Sequence, residues 1–417
     1  MASSWMESFW LEAHWTRPFH LTLAFCLALG LLQAIKLYLQ RQRLLRDLRL
    51  FPSPPTHWLY GHQKLFKDGK MENLEKIVEK YPCAFPRWVG PFAVFFYIYD
   101  PDYAKTFLSR TDPKSRFLYR FIIPTVGKGL VNLDGPKWSQ HRRLLTPGFH
   151  FNTLKSFVEV MVQSVNIMLD KWEKICGSQD ALLDVYEHID LMTLDVLMKC
   201  IFSWETNCQT DSSHDYYVKA TSEGSNILIQ RVYNYFYHCD LIFKLSPLGH
   251  RLREINKILH QHTDKIVKDR RNSLKNENKQ ANTQKRKYRD FLDIVLSAQA
   301  ENDSFTDADL WSEVNTFMLA GHDSVLAGIS WLLYHLALYP EHQERCREEI
   351  RAILGDGSSI TWNCIGQNFA IVEIKVIVAL ILLRFQMTVE PTKPLVFVPH
   401  VFIKPKKGIY LHLKKLP

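Results

Sequence analysis

The chain has 417 residues, 47% apolar by type, 13% aromatic and 23% charged. That is too apolar for a disordered chain and too long for a small scaffold held by disulfides. The formal net charge is +9, of which +6 falls within residues 268–290, where nine Lys/Arg meet three Asp/Glu, so no basic face broad enough for nucleic acid is expected.

Residues 19–35 (FHLTLAFCLALGLLQAI) carry no charged side chain, and Leu37, Tyr38 and Leu39 extend the run. As a helix, 17 residues span about 26 Å and 20 span about 30 Å, enough for a bilayer core. Lys36, Arg41, Arg43, Arg46 and Arg49 follow it, whereas Arg17 precedes it with Glu7 and Glu12. This asymmetry predicts a single-pass anchor over 19–39, with residues 1–18 lumenal and the body cytosolic. A cleaved signal peptide would begin basic and end at a small-residue site, and this start is acidic. Residues 40–56 form a basic stop and then a hinge at Pro52, Pro54 and Pro55, since proline lacks an N–H and restricts its predecessor. The globular domain is expected over 57–417. Its cysteines form no C-x-x-C pair, so zinc is not expected, nor are disulfides in a cytosolic body.

Within that domain, 59–89 reads as helical and 92–99 (FAVFFYIY) as strand. Asp100-Pro101 suits the start of another helix. Residues 136–200 read as mostly helical, broken at Pro147-Gly148, and 272–287 as a solvated loop or weak helix. The fold class is mainly α with a small β portion. One helix is expected over 306–339, capped by Ser304 or Thr306, favoured by Asp307 and Asp309 in its first turn and ended by Pro340. It is apolar around most of its circumference, as a central rod would be. Ala320-Gly321-His322-Asp323-Ser324 interrupts it. Glycine costs about 1 kcal/mol in a helix interior, so this stretch predicts a local opening beside a ligand. The bland alternative is a packing glycine beside an exposed polar face.

These residues resemble a known family. Ala320–Ser324 in a long helix is similar to the oxygen-binding helix of cytochromes P-450, the haem-thiolate monooxygenases. Trp138 and Arg142 resemble that family's W-x-x-x-R, whose side chains hold a haem propionate; four apart, they share one helical face, and arginine offers a carboxylate a planar fork. Asn363-Cys364-Ile365-Gly366-Gln367-Asn368-Phe369-Ala370 resembles the second half of the haem-ligand signature, with Cys364 as the iron-binding thiolate. Trp58…Gly61-His62, residues 100–105, 144–149 and 339–343 resemble vertebrate family 4, nearest to its X and Z subfamilies.

The resemblance implies monooxygenation of fatty acids or related lipophilic substrates with O2 and NADPH-derived electrons, at the endoplasmic reticulum membrane. Gly321 would leave room for dioxygen, while Asp323 and Ser324 would relay protons. Trp138, Arg142, Ala320 and Cys364 would hold the cofactor. Many family 4 members carry a haem-linking glutamate where Ala320 stands, so the haem b is expected to be non-covalent. Implied partners are NADPH-cytochrome P-450 reductase, with cytochrome b5 as a further donor, and the lipid bilayer.

The ligand signature departs from the family's F-x-x-G-x-R-x-C: Gly357, Ile360 and Trp362 replace Phe, Gly and Arg. Only 44 residues separate Ala320 from Cys364. Glu344/Arg347 and Glu348/Arg351 spell E-x-x-R, but they lie in a stretch, 340–354, resembling the helix before the one that carries that motif, so both are read as chance. The pattern looks like the loss of roughly ninety residues at 362/363, including the E-x-x-R helix and meander. The fold is therefore expected to be an incomplete P-450 fold, and a catalytically inactive, membrane-anchored shortened form is the alternative function.

Overall fold

The structure, a computed structural model, describes residues 2–416 apart from 67–70, 111, 178–179, 207, 211–214, 280–289, 302–303, 354–365, 394 and 399–403. Cys364 and the 362/363 junction therefore lie outside the described residues, as does 280–287 of the expected loop.

By their internal contacts the residues fall into two units. The first comprises 1–110 and 233–235. It begins with α1 (Ala2–Asp47), longer than the expected 19–39 anchor because both the preceding residues and the Arg-rich stop continue the helix. From His20 onward α1 is long and apolar enough to cross a membrane, and its Leu21, Phe25, Leu27, Leu31 and Leu32 side chains are all exposed. After the extended proline hinge come α2 (Met71–Lys80), β1 (Ala84–Val89), β2 (Ala93–Ile98) and α3 (Pro101–Leu108). The continuous helix expected over 59–89 is thus corrected: a 3-10 turn, α2 and β1 share that stretch. Tyr81-Pro82 stops α2, and the fully buried run of β1 pairs antiparallel with β2, Val89 opposite Ala93. Asp100 caps α3, accepting from the backbone N–H groups of Asp102 and Tyr103 at 3.0 Å.

The Gly61-His62 pair ties the hinge to this hairpin. Gly61 has φ +58°, and a Cβ there would sit 2.4 Å from the Trp88 carbonyl oxygen. Buried His62 accepts from the Trp88 N–H through Nδ1 at 3.0 Å, so its Nε2 carries the proton donated to the Pro54 carbonyl at 2.8 Å. Burial and the nearby Arg87 cation lower its pKa, against the raising effect of the Pro54 bond. His62→Ala is expected to destabilise the unit by about 1–3 kcal/mol, since it leaves buried backbone groups unpaired. Urea unfolding followed by the unit's tryptophan fluorescence checks this, and an unchanged midpoint would contradict it.

The second unit comprises 111–232 and 236–417. It opens with α4 (Arg116–Tyr119), α5 (Ile123–Val126), α6 (Gly135–Leu145), α7 (Phe151–Cys176), β3 (Ala181–Asp184) and α8 (Val185–Phe202). Then follow α9 (Asp215–Tyr233), whose last residue falls in the first unit, α10 (Asp240–Leu245), α11 (Pro247–Lys279) and α12 (Phe291–Glu301). Next come α13 (Asp307–Leu338), α14 (Pro340–Ile353), α15 (Gln367–Arg384), β4 (Phe385–Val389), β5 (Phe397–Val398), β6 (Lys404–Pro405) and β7 (Tyr410–Lys415). The helix expected to weaken after 272 instead continues to Lys279 as α11.

Helices α7, α8, α13 and α15 pack together around the core, in which Trp172, Met161, Val165, Leu326, Ile329, Leu333, Ile377 and Ile381 are buried. Strands β3 and β4 flank β7 in an antiparallel sheet, β3 being a strand the helical pattern concealed. Thr306 closes a capping box at the start of α13, its side chain accepting from the Asp309 N–H at 3.2 Å while the Asp309 carboxylate accepts from the Thr306 N–H at 3.1 Å. The rod is central, as its apolar circumference requires.

Candidate haem site

Helix α6 is fastened to the first turns of α13. His141 and Glu313 are 1% and 0% exposed, and their Nδ1 and Oε1 atoms lie 2.6 Å apart. The second Glu313 oxygen accepts from the Leu130 N–H at 3.1 Å. One turn away, Lys137 meets Asp309 at 2.6 Å. Burial works to raise Asp309, but its bonds from Lys137 and Thr306 outweigh this and hold its carboxyl below the usual range. Lys114 donates to the carbonyls of Leu130 and Leu133 at 2.9 Å and lies 5.8 Å from the centroid of the Trp138 ring.

On this fastened helix, Trp138 and Arg142 are half-buried and one turn apart. Trp138 packs on the core, and the Arg142 carbonyl accepts from the Thr146 hydroxyl at 2.6 Å.

The 320–324 segment divides by face. Ala320 is exposed, Ser324 is half-buried, and Gly328 one turn on is exposed, so small residues form an open stripe on α13. His322 and Asp323 point inward and are buried. His322 Nε2 lies 2.7 Å from the Asp190 carboxylate and 3.0 Å from the Asp190 carbonyl on α8. Burial acts to lower His322, but the carboxylates of Asp190 and Asp323 prevail and leave its pKa raised. Asp323 receives Lys404 of β6 at 3.1 Å, both side chains being buried.

The local opening expected here is corrected: α13 is an unbroken α-helix from Asp307 to Leu338. The polar residues are accommodated by partners on other elements, and Ser324 donates to the Ala320 carbonyl of its own helix at 2.7 Å. Gly321 faces α8, where a Cβ would lie 2.7 Å from Leu197 Cδ1, so its missing side chain is filled by close helix packing. Ala320 and Ser324 therefore share a face, whereas Asp323 is held away from it by Lys404. The alternative of an exposed His-Asp-Ser face fails equally, for two of the three are buried.

Periodicity gave no sign of Asp190, Glu313, His141, Lys404 or Glu373. Glu373 on α15 is buried, its Oε1 has no hydrogen-bond partner among the described residues, and burial pushes its pKa up to about 8, offset in part by the His322 cation. Of the E-x-x-R pairs read as chance, Glu344 and Arg347 do form an ion pair. Buried Arg347 also donates to the carbonyls of Leu382 at 2.8 Å and Phe385 at 3.2 Å, satisfying the C-terminal end of α15.

These residues suit a haem in the chemistry of their donors. Trp138 and Arg142 offer an indole N–H and a guanidinium to propionates, and the Ala320–Ser324–Gly328 stripe leaves one face of the central helix uncovered. The sequence model of the cytochrome P450 family matches residues 51–363 and 362–413. The chain belongs to the cytochrome P450 family. Its relatives include human cytochrome P450 4X1, 53% identical over 506 residues and covering 99% of both chains. Human cytochrome P450 4Z1 is 41% identical over 99% of this chain and 100% of its own. Mouse cytochrome P450 4A10 is 38% identical over 94% of this chain and 95% of its own. The likeness is to vertebrate family 4, nearest its X and Z members, as the motifs imply. The family's activity class is P450-type, haem-dependent monooxygenation, generally with reductase-supplied electrons and lipophilic substrates. Its fold is the mainly helical P450 fold, shortened: the 4X1 alignment runs over 506 positions and this chain has 417 residues, a difference of 89.

Proposed function

We infer that the protein is a single-pass monooxygenase of the endoplasmic reticulum membrane that inserts one oxygen atom into fatty acids or closely related lipids. The observation that supports this reading is the fastening of α6, which carries Trp138 and Arg142, to the first turns of α13, the helix whose middle holds the open stripe. Arg142 and Trp138 would hold the propionates of a haem b, and Cys364, two residues before the Gly366 cap of α15, would supply the thiolate that binds its iron. Ala320 offers no carboxyl for an ester link, so the group would be held non-covalently. When bound, the haem supplies activation of dioxygen.

Ser324 holds a hydroxyl on the open face, where it would pass protons inward. Asp323 would recharge that hydroxyl only after leaving Lys404, because the ion pair holds its carboxylate on another face. Gly321 would contribute by letting α13 approach α8 closely and so fixing the stripe. Electrons would come from NADPH-cytochrome P-450 reductase, with cytochrome b5 as an additional donor, and the apolar part of α1 would anchor the chain in the bilayer with the domain in the cytosol.

Bilayer-embedded full chain given haem, reductase, NADPH and dodecanoic acid tests the reading: hydroxylated or epoxidised products are expected by mass spectrometry, and NADPH-independent or absent products would contradict it. A second reading is favoured by one observation, the meeting of the two family matches at 362/363. On that reading the chain is a shortened form lacking the residues that precede the ligand cysteine, and it is inactive. No haem uptake by folded protein would support it.

A further inference from the structure

Arg87, in β1 of the first unit, is only 7% exposed, and among the described residues no acidic side chain pairs with it. Buried cations are normally matched by an anion, because removing a charge from water costs several kcal/mol unless it is paired. Here aromatic groups surround it instead. Nη1 donates to the hydroxyl of Tyr97 at 2.5 Å and to that of Tyr233 at 3.5 Å. The guanidinium carbon lies 3.8 Å from the Phe66 ring centroid, 4.5 Å from that of Tyr233 and 5.4 Å from that of Tyr97. Those faces attract the cation without neutralising it. Nε is buried and has no hydrogen-bond partner among the described residues. Among the described residues, both hydrogen bonds of the guanidinium leave from Nη1, so the Nε–Nη2 edge, with its two parallel N–H bonds, suits a two-oxygen acceptor.

We propose that Arg87 receives the carboxylate of a lipophilic acid through its Nε–Nη2 edge, within the Phe66–Tyr97–Tyr233 aromatic cluster. The occupant's chemistry follows from the surroundings. A strongly hydrated inorganic anion would surrender its water to three aromatic faces, whereas a carboxylate on an alkyl chain brings apolar surface to meet them. Burial pushes the Tyr97 phenol up to about 12 despite the Arg87 cation, so it keeps its proton and can donate to the same carboxylate while accepting from Nη1. The inference rests on the lipid-oxidising reading above and deepens it: Arg87 would select acids over neutral lipids.

The test is equilibrium binding of radiolabelled dodecanoic acid, dodecanol and dodecyl phosphate to the full chain in nanodiscs, a measurement independent of turnover. For the wild type the acid is expected to bind more tightly than the alcohol. Arg87→Met should weaken the acid about tenfold or more while leaving the alcohol nearly unaffected. Arg87→Lys keeps the charge, loses the fork, and should fall between them; it also serves if the methionine variant fails to fold. Equal acid affinity in wild type and both variants overturns the assignment, as does tighter binding of the phosphate ester than of the acid. Wild-type binding of the alcohol alone overturns it while sparing the lipid reading; binding of no ligand overturns the lipid substrate class and this inference together.

Discussion

Glu313→Ala is expected to destabilise the second unit by about 3–5 kcal/mol, among the largest effects of any single substitution in this chain. The carboxylate is completely enclosed, meets His141 at 2.6 Å and accepts the Leu130 N–H, so alanine strands two buried partners. The paired replacement Glu313→Leu with His141→Leu removes both polar groups and should recover much of the loss. A double-mutant cycle by denaturant unfolding measures the coupling. If the double replacement costs the sum of the Glu313→Leu and His141→Leu single replacements, the two side chains do not act as a pair. The consequence for function is positional: α6 carries Trp138 and Arg142, and its contacts with α13 through His141 and Lys137 fix where those donors stand.

The second large effect depends on pH. Glu373 has a folded pKa of about 8 against an ordinary 4.5, with burial as the main cause. Between those values the unfolded chain has released the proton that the folded chain retains. Its contribution to stability is therefore fully present below pH 4.5 and is lost as pH rises toward 8, at up to about 1.4 kcal/mol per pH unit. Glu373→Gln, which stays neutral, should match the wild type near pH 4.5 and exceed it by about 2–4 kcal/mol at pH 8. Thermal unfolding of both proteins across that range is the check, and parallel curves would show that Glu373 is already ionised in the folded state. His322 has the same sign with a different cause: Asp190 raises its pKa, so that its stabilising contribution fades as pH rises through the raised value.

Local signals carried a good part of this architecture. The cap at Thr306, the proline at 340 and the all-round apolar pattern defined α13 to within a residue at each end, because caps and periodicity are written in neighbouring residues. Trp138 and Arg142 were placed on one face by their spacing alone. The irregular count back from Cys364 pointed to the same junction at which the two family matches meet. Pairings across the chain were not legible. His141 and Glu313 are 172 positions apart, and Asp323 and Lys404 are 81 apart, so only folding brings them together. The expected opening at 320–324 failed for that reason: the cost of a polar segment in a rod was counted without the partners that α8 and β6 supply. Within 59–89 the helix is present at Met71–Lys80, and Ala84–Val89 departs from it because β1, a fully buried strand, lacks the polar–apolar alternation that distinguishes a strand.

On the proposed function, a thiolate from position 364 binds haem iron in a chain that lacks part of the usual ligand loop. The carbon monoxide difference spectrum of the reduced, purified full chain reads this directly. A thiolate-type Soret band that disappears in Cys364→Ser is the predicted outcome; folded wild-type protein with no such band, or a band that survives the substitution, would contradict it.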